Sequence, residues 1–584
     1  MAETTQSAAA SRRGLSRAVL GGVAAAAVLP LLATEEASAA GAQTTTERRK
    51  GKWHRCKKHR KHTCRRARTC RHRFHKKKPD QDSPPPSPPP APPPGDSGPV
   101  TPPLDPAPVP TAAALHLASR FTYGMTPALH AEVAAAGSPG QWFAAQLNPA
   151  SIPDPVADEL HTWWTSIDLE PTTIWQRDKD KVEPTWVAGQ NYQRWCLLRR
   201  VYSKRQVLEA VTEFFESHLH VPVHDDGVGG HRTSYGKLIR SHALGRFDQM
   251  LVAAITHPAM GISLDNASST KRAPNENLGR ELLELHTVGR GSYTEDDVKD
   301  SAKILTGYRV DMWRTWNAWY DTATHWVGPV TVMDFSHANA ESDGRPVAEA
   351  FLHYLAHHPA TAHRLARKLA VRFVSDSPSE ALVDHLANVY LAHDTAIVPV
   401  IHALVAHPEF AASVGSKVRT PTDDVVATYR ALDVTVRRPA ESSSTANAIL
   451  WQTTAIGHEP FGWARPDGPP ETGAAWSSAS RMLASFQVHY SMAGGWWPKK
   501  DADYHPMTHW VPITGTEAIR FDALVDHLSR RILGRSASGR FTEACCLATG
   551  LAGDAQITTD HQLVRWGMPK LLTTVLDSPE HMSR

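Results

Sequence analysis

Residues 79–110 hold 16 prolines in 32 positions, including Pro84-Pro85-Pro86 and Pro92-Pro93-Pro94. Each proline fixes φ and removes a backbone donor, so neither a helix interior nor a central strand can run through this segment. It reads as a semi-rigid polyproline spacer of roughly 3.1 Å per residue. The 584-residue chain is thereby divided, and residues 111–584 must build their own core. Apolar residues at 41% and charged residues at 21% are enough for that.

The segment before the spacer reads as an address and a tail. Ser11-Arg12-Arg13-Gly14-Leu15-Ser16-Arg17 precedes a mildly apolar run from Ala18 to Ala33, and Ala37-Ser38-Ala39 offers a small-x-small cleavage site. Residues 1–39 are expected to be a signal peptide of the twin-arginine type, with an ordinary secretory signal or an uncleaved anchor as the other readings. Residues 40–78 follow as a basic tail. Between Arg48 and Lys78 there are 17 Lys and Arg and no acid, interleaved with His54, His59, His62, His72, His75, Cys56, Cys64 and Cys70. Its only large apolar residues are Trp53 and Phe74, so disorder is expected. No Cys-x-x-Cys pair favours zinc there, and the cations oppose a dication. The tail is expected to adhere to anionic cell-envelope polymers. An exported or envelope-associated location follows from the signal, and with it no nucleic-acid partner. Beyond the N-terminal region no apolar run reaches 18 residues, so no span is expected in the mature chain. Six cysteines in the whole chain exclude a disulfide-built scaffold.

From residue 111 the apolar period is helical. Ala112–Arg120, Val207–Phe215, Leu244–His257, Pro346–His357, Ala362–Phe373, Glu380–Leu391 and Ile397–Phe410 read as helices, with Pro or Gly near their ends. Strand and helix do not alternate. No Gly-x-Gly-x-x-Gly or Gly-x-Ser-x-Gly occurs, which argues against a doubly wound nucleotide fold and an α/β-hydrolase. The expected fold is mainly α, a multi-helical single large body. One insertion breaks the pattern: Tyr308–Met333, with Trp313, Trp316, Trp319, Tyr320 and Trp326, reads as a small Trp-rich β-hairpin. Its rings suit either a buried seam or a sugar-stacking surface.

Several segments, in order, carry a resemblance. They are Leu115-His116-Leu117-Ala118-Ser119-Arg120-Phe121-Thr122-Tyr123-Gly124, Phe214-Phe215-Glu216-Ser217-His218-Leu219, and the run Asn275-Glu276-Asn277-Leu278-Gly279-Arg280-Glu281-Leu282-Leu283-Glu284-Leu285-His286-Thr287-Val288-Gly289. Tyr293–Val298, Leu305-Thr306-Gly307-Tyr308, His357–Ala362, Ala370–Val374, Lys417-Val418-Arg419-Thr420-Pro421 and Ala475-Trp476 follow. The set resembles the bacterial family catalogued as "domain of unknown function 1800" over residues 111–584. The resemblance implies export and, as a partner, an exported protein like the alkaline-phosphatase superfamily. Glu216-Ser217 and His286 depart from the usual family pattern.

The run from Asn275 to Gly289 reads as a helix with Pro274 near its first turn and Gly289 at its end. At roughly 100° per residue, Glu276, Asn277, Arg280, Glu281 and Glu284 share an arc of about 140°. Two chemistries suit that face. Glu276, Glu281 and Glu284, with His218, would hold a divalent metal, and Glu281, Glu284 and Arg280 would act on a substrate. Alternatively, Glu276–Arg280–Glu284 is an i, i+4 ion-pair ladder. His286, among leucines, reads as a core histidine. His220, His337, His242 and Asp265-Asn266 are weaker candidates. Thr294 and Asp297 read as a capping box, and Cys545-Cys546 as buried thiols. The chain is thus expected to be either an exported metal-assisted enzyme or a non-catalytic envelope-binding or assembly module.

Overall fold

The computed structural model describes residues 108–584. The expected signal peptide and basic tail, and the proline-rich segment up to residue 107, lie outside the described residues.

Local sequence sets most of the helices. They run Ala112–Phe121, Gln206–His218, Phe247–Ile255, Arg345–His357, Pro359–Phe373, Glu380–Ala392 and Ile397–Ala406, in the places the apolar period predicts. Thr111 and Ser379 cap their helices by accepting from Ala114 and Leu382 backbone N–H groups. Thr294 and Asp297 form the expected capping box. Two ends differ from expectation. Arg246 is extended and bridges Ala396, which delays one helix to Phe247. Pro408 holds His407 extended at φ −71°, ψ 137°, so the helix ending at Ala406 restarts as Pro408–Ala412.

Among the described residues, strands are confined to four two-stranded ribbons, which makes the fold mainly α. The Trp-rich insertion forms two of them. Tyr308–Val310 pairs antiparallel with Ala318–Tyr320, and Val330–Val332 with Phe335–His337. Trp316 is buried against Trp175, while Trp313 and Trp319 are exposed, so the insertion is part seam and part surface.

Two apolar cores share the body. One is built from Leu117, Phe121, Phe214, Phe247, Phe351, Leu369 and Ile401, and the other from Leu197, Val425, Ile449, Phe521, Leu524 and Leu572. The Gln206–His218 helix serves as their boundary. Val207, Val211 and Phe214 on one side enter the first core. Glu209, Glu213 and Glu216, at i, i+4 and i+7, form the opposite side and are equally buried. Each acid has a guanidinium partner: Arg199 for Glu209 at 2.9 Å, Arg200 and Arg372 for Glu213 at 2.9 and 2.8 Å, and Arg232 for Glu216 at 3.4 Å. Buried charge on this scale is tolerated only when paired. Arg584 and Asp423 extend the seam at 2.8 Å.

Candidate metal centre

Asp424, His489 and His581 form the one group of three metal-ligating residues among the described residues, their ligand atoms all within 4.8 Å of one another. Three local structures deliver them. Thr420 caps the Pro421–Ala431 helix, and Asp424 sits in its first turn, where the helix dipole favours a carboxylate. Arg481, Ser485 and His489 stand four residues apart on the Ala479–Ala493 helix, so all three face the same way. Asp577 ends the Met568–Leu576 helix, and Pro579–Met582 follows with His581 one turn later. The C-terminal segment is pinned by a Val418–Ser583 bridge and by Arg419 N–H donating to the Met582 carbonyl.

The geometry is that of a supported site. His489 Nε2 is 3.1 Å from Asp424 Oδ1, and His489 Nδ1 is 2.7 Å from Asp577 Oδ1. Ser485 Oγ donates to Asp424 Oδ2 at 2.7 Å, and Arg481 Nη2 donates to it at 3.3 Å. His581 Nε2 lies 3.9 Å from Asp424 Oδ1, is buried, and has no hydrogen-bond partner. Burial opposes charge on His489, yet Asp424 and Asp577 outweigh it and push the imidazolium up to about 9. Burial would raise the Asp424 carboxyl, but His489 and Arg481 hold it well below the usual carboxylate range. Burial, then Arg419, keeps His581 well below an ordinary histidine, so its ring is neutral with a free lone pair. His581, Arg419 and Arg584 also line a cavity of about 460 Å³.

Two imidazoles and one carboxylate could hold a divalent metal with coordination positions left open. Asp577 on the far nitrogen of His489 is the carboxylate–histidine arrangement that orients metal ligands.

The acidic run is organised differently from its helical projection. Glu276–Glu281 is α-helical, but Leu282–His286 is a π-turn. The widened turn rotates Glu284 off the line of Arg280. Arg280 instead pairs with Glu276 at 3.3 Å and with both oxygens of Glu295 at 2.7 Å. Glu284 pairs with Arg290 and accepts from Tyr293 Oη at 3.0 Å. The Glu276–Arg280 step of the ladder is therefore made and the Arg280–Glu284 step is not. Glu281 is half-buried, and burial, reinforced by Glu284, raises its carboxyl.

His218 does not join these acids. Its Nε2 lies 3.1 Å from the His286 carbonyl, and its Nδ1 lies 3.1 Å from Lys368 Nζ, an ammonium where a metal would sit. The structure thus does not gather His218, Glu276, Glu281 and Glu284 into one ligand group; the grouped ligands are Asp424, His489 and His581. His286 is buried, as a core histidine. His220 Nε2 donates to the Trp463 carbonyl, and His337 Nδ1 accepts from Asn339 N–H. His242 Nδ1 lies 2.9 Å from the Leu238 carbonyl, and Asp265 Oδ2 accepts from Asn277. Cys545 is a buried free thiol and Cys546 a half-buried one.

Sequence reasoning missed the grouped site because its residues are 65 and 157 positions apart, among 32 histidines. The one local signal is Lys417-Val418-Arg419-Thr420-Pro421, which runs directly into Asp423 and Asp424. No curated protein and no solved structure matches the chain. The model of the family described as "Protein of unknown function (DUF1800)" matches residues 116–583, and the chain belongs to that family.

Proposed function

We propose that this chain is an exported, envelope-attached metalloprotein whose centre is Asp424, His489 and His581. The observation that carries the reading is His581 Nε2, buried without a partner and 3.9 Å from a carboxylate oxygen already near a second imidazole. An unpaired buried nitrogen is costly unless something occupies its lone pair. A bound Zn²⁺ or similar ion would do so and would act as a Lewis acid on a water or substrate oxygen. The neighbouring cavity supplies room for a substrate beside His581. On the acidic run, Glu276 and Glu284 are left to ion pairing with Arg280 and Arg290.

The twin-arginine signature at Arg12-Arg13 supports export, and the 17 cations of residues 48–78 support attachment to anionic polymers. The proposed organisation is signal 1–39, tail 40–78, spacer 79–110 and body 111–584. Metal analysis of the full chain, recovered from its native host after export, tests the centre. About one divalent ion per chain is expected, falling to none in Asp424→Asn. A metal-free wild type that also fails to take up zinc on dialysis would remove the reading.

A further inference from the structure

A second cavity, of about 320 Å³, lies between the end of the Gln206–His218 helix, the Pro359–Phe373 helix and the loop at 465–471. Lys368 lines it. Every other cation on its wall has an acid: Arg367 pairs with Glu380, and Arg465 with Asp467 at 3.3 Å. The loop acids are also engaged, since Asp467 accepts from Trp463 Nε1 at 3.0 Å and Glu471 from Arg372 at 2.9 Å. Lys368 has no carboxylate partner among the described residues. Its one hydrogen-bond partner is His218 Nδ1 at 3.1 Å.

The tautomer of His218 follows from its other contact. A carbonyl only accepts, so Nε2 must carry the proton toward the His286 carbonyl. Nδ1 is then a lone pair, which accepts one N–H from Lys368. That fixes the amine at the cavity wall and leaves its own lone pair free once it is neutral.

We propose that Lys368 is a reactive amine that takes a small aldehyde or ketone as an imine, with His218 as its positioning residue. The amine nitrogen attacks the carbonyl carbon, and a C–N bond forms as the nitrogen proton passes to the carbonyl oxygen. The carbinolamine then expels that oxygen as water to leave the imine, so no oxidant or reductant is consumed. Burial, then Arg364, brings the Lys368 ammonium down to about 8 against the weaker pull of Glu471 and Asp467. A desolvated lysine beside another cation is the established setting for imine chemistry. This site is separate from the proposed metal centre and does not depend on it.

The test is reductive trapping on the full chain with glycolaldehyde and cyanoborohydride near pH 7, read by peptide mass mapping. Lys368 is expected to label roughly tenfold or more faster than exposed Lys499, with a rate-against-pH midpoint near its lowered value. Formaldehyde under the same reductant reports the amine independently of ligand size. Labelling of Lys368 no faster than Lys499 with both reagents, or a midpoint above about 10, would overturn the proposal. Fast formaldehyde but slow glycolaldehyde labelling would also overturn it, because the cavity would then reject carbonyl ligands. In Lys368→Arg the fast-labelling peptide should vanish while metal content stays at the wild-type level.

Discussion

His218 and His286 each hold the other's backbone: the ring of His218 donates to the His286 carbonyl at 3.1 Å, and the ring of His286 to the His218 carbonyl at 3.0 Å. The pair locks the end of the Gln206–His218 helix to the π-turn of the acidic run. It also commits one nitrogen of His218 as a donor, with Lys368 on the other. Both ring nitrogens of His218 are thus engaged away from Glu276, Glu281 and Glu284.

Metal content should therefore separate two sets of residues. Asp424→Asn and His581→Gln should each abolish a stoichiometric divalent ion. His218→Gln and Glu284→Gln should leave it unchanged. Elemental analysis of the four purified variants checks this, and the reverse pattern would move the centre to the acidic run.

The chelator-treated protein should lose stability as the pH rises. His489 titrates at about 9 in the fold, above an ordinary histidine near 6.5, so protonation stabilises the folded state. The contribution is fully present below about pH 6.5 and disappears as pH rises through about 9, a loss of at most about 3 kcal/mol. Urea denaturation across that range should show the fall, and His489→Gln should flatten it. Metal binding requires the same ring to lose a proton, so the saturated metal-loaded protein should hold its stability across that interval while the metal-free protein loses it.

Two neutralised glutamates should behave very differently. Glu213→Gln leaves Arg200 and Arg372 buried with one fewer counter-charge, a loss of about 3–5 kcal/mol. Glu284→Gln breaks a pair whose arginine, Arg290, is 83% exposed, so its loss should be much the smaller. Thermal and urea unfolding of the two variants give the comparison, and equal losses would contradict the buried seam.

Gly236 should tolerate no side chain. A Cβ there would overlap Tyr192 Oη and Glu216 Oε1, which are hydrogen-bonded to each other in the seam. Gly236→Ala should destabilise by about 1–3 kcal/mol or more, through overpacking. Adding Tyr192→Phe to it should not restore stability, because the ring carbon Cζ would still overlap that Cβ. Denaturation of the single and double variants measures the coupling.

The helices were legible because their causes are local. The apolar period of Pro359–Phe373 and Glu380–Ala392, with Pro359 at one start and the Ser379 cap at the other, needs no distant partner. The capping box at Thr294 and Asp297 is visible for the same reason. The charged side of Gln206–His218 is a different case. An acidic face opposite an apolar one reads as the solvent side of a helix, but here it is buried by arginines from four other segments: 185–202, 232–242, 359–373 and, through Asp423, the chain end. The acidic run likewise has an ideal helical projection, and the π-turn that spoils it comes with tertiary contacts, including Gly279 packed against Ala302 and the His218–His286 exchange. The candidate centre is furthest from what sequence can express. Asp424, His489 and His581 share no period, no spacing and no motif; they meet because helices 421–431 and 479–493 and the pinned chain end pack together. Backbone conformation is a short-range property of the chain, whereas the meeting of side chains depends on the summed geometry of every element between them. For that reason sequence alone determined the helical class and family of this protein, and only the tertiary structure decided which of its acids and histidines face one another.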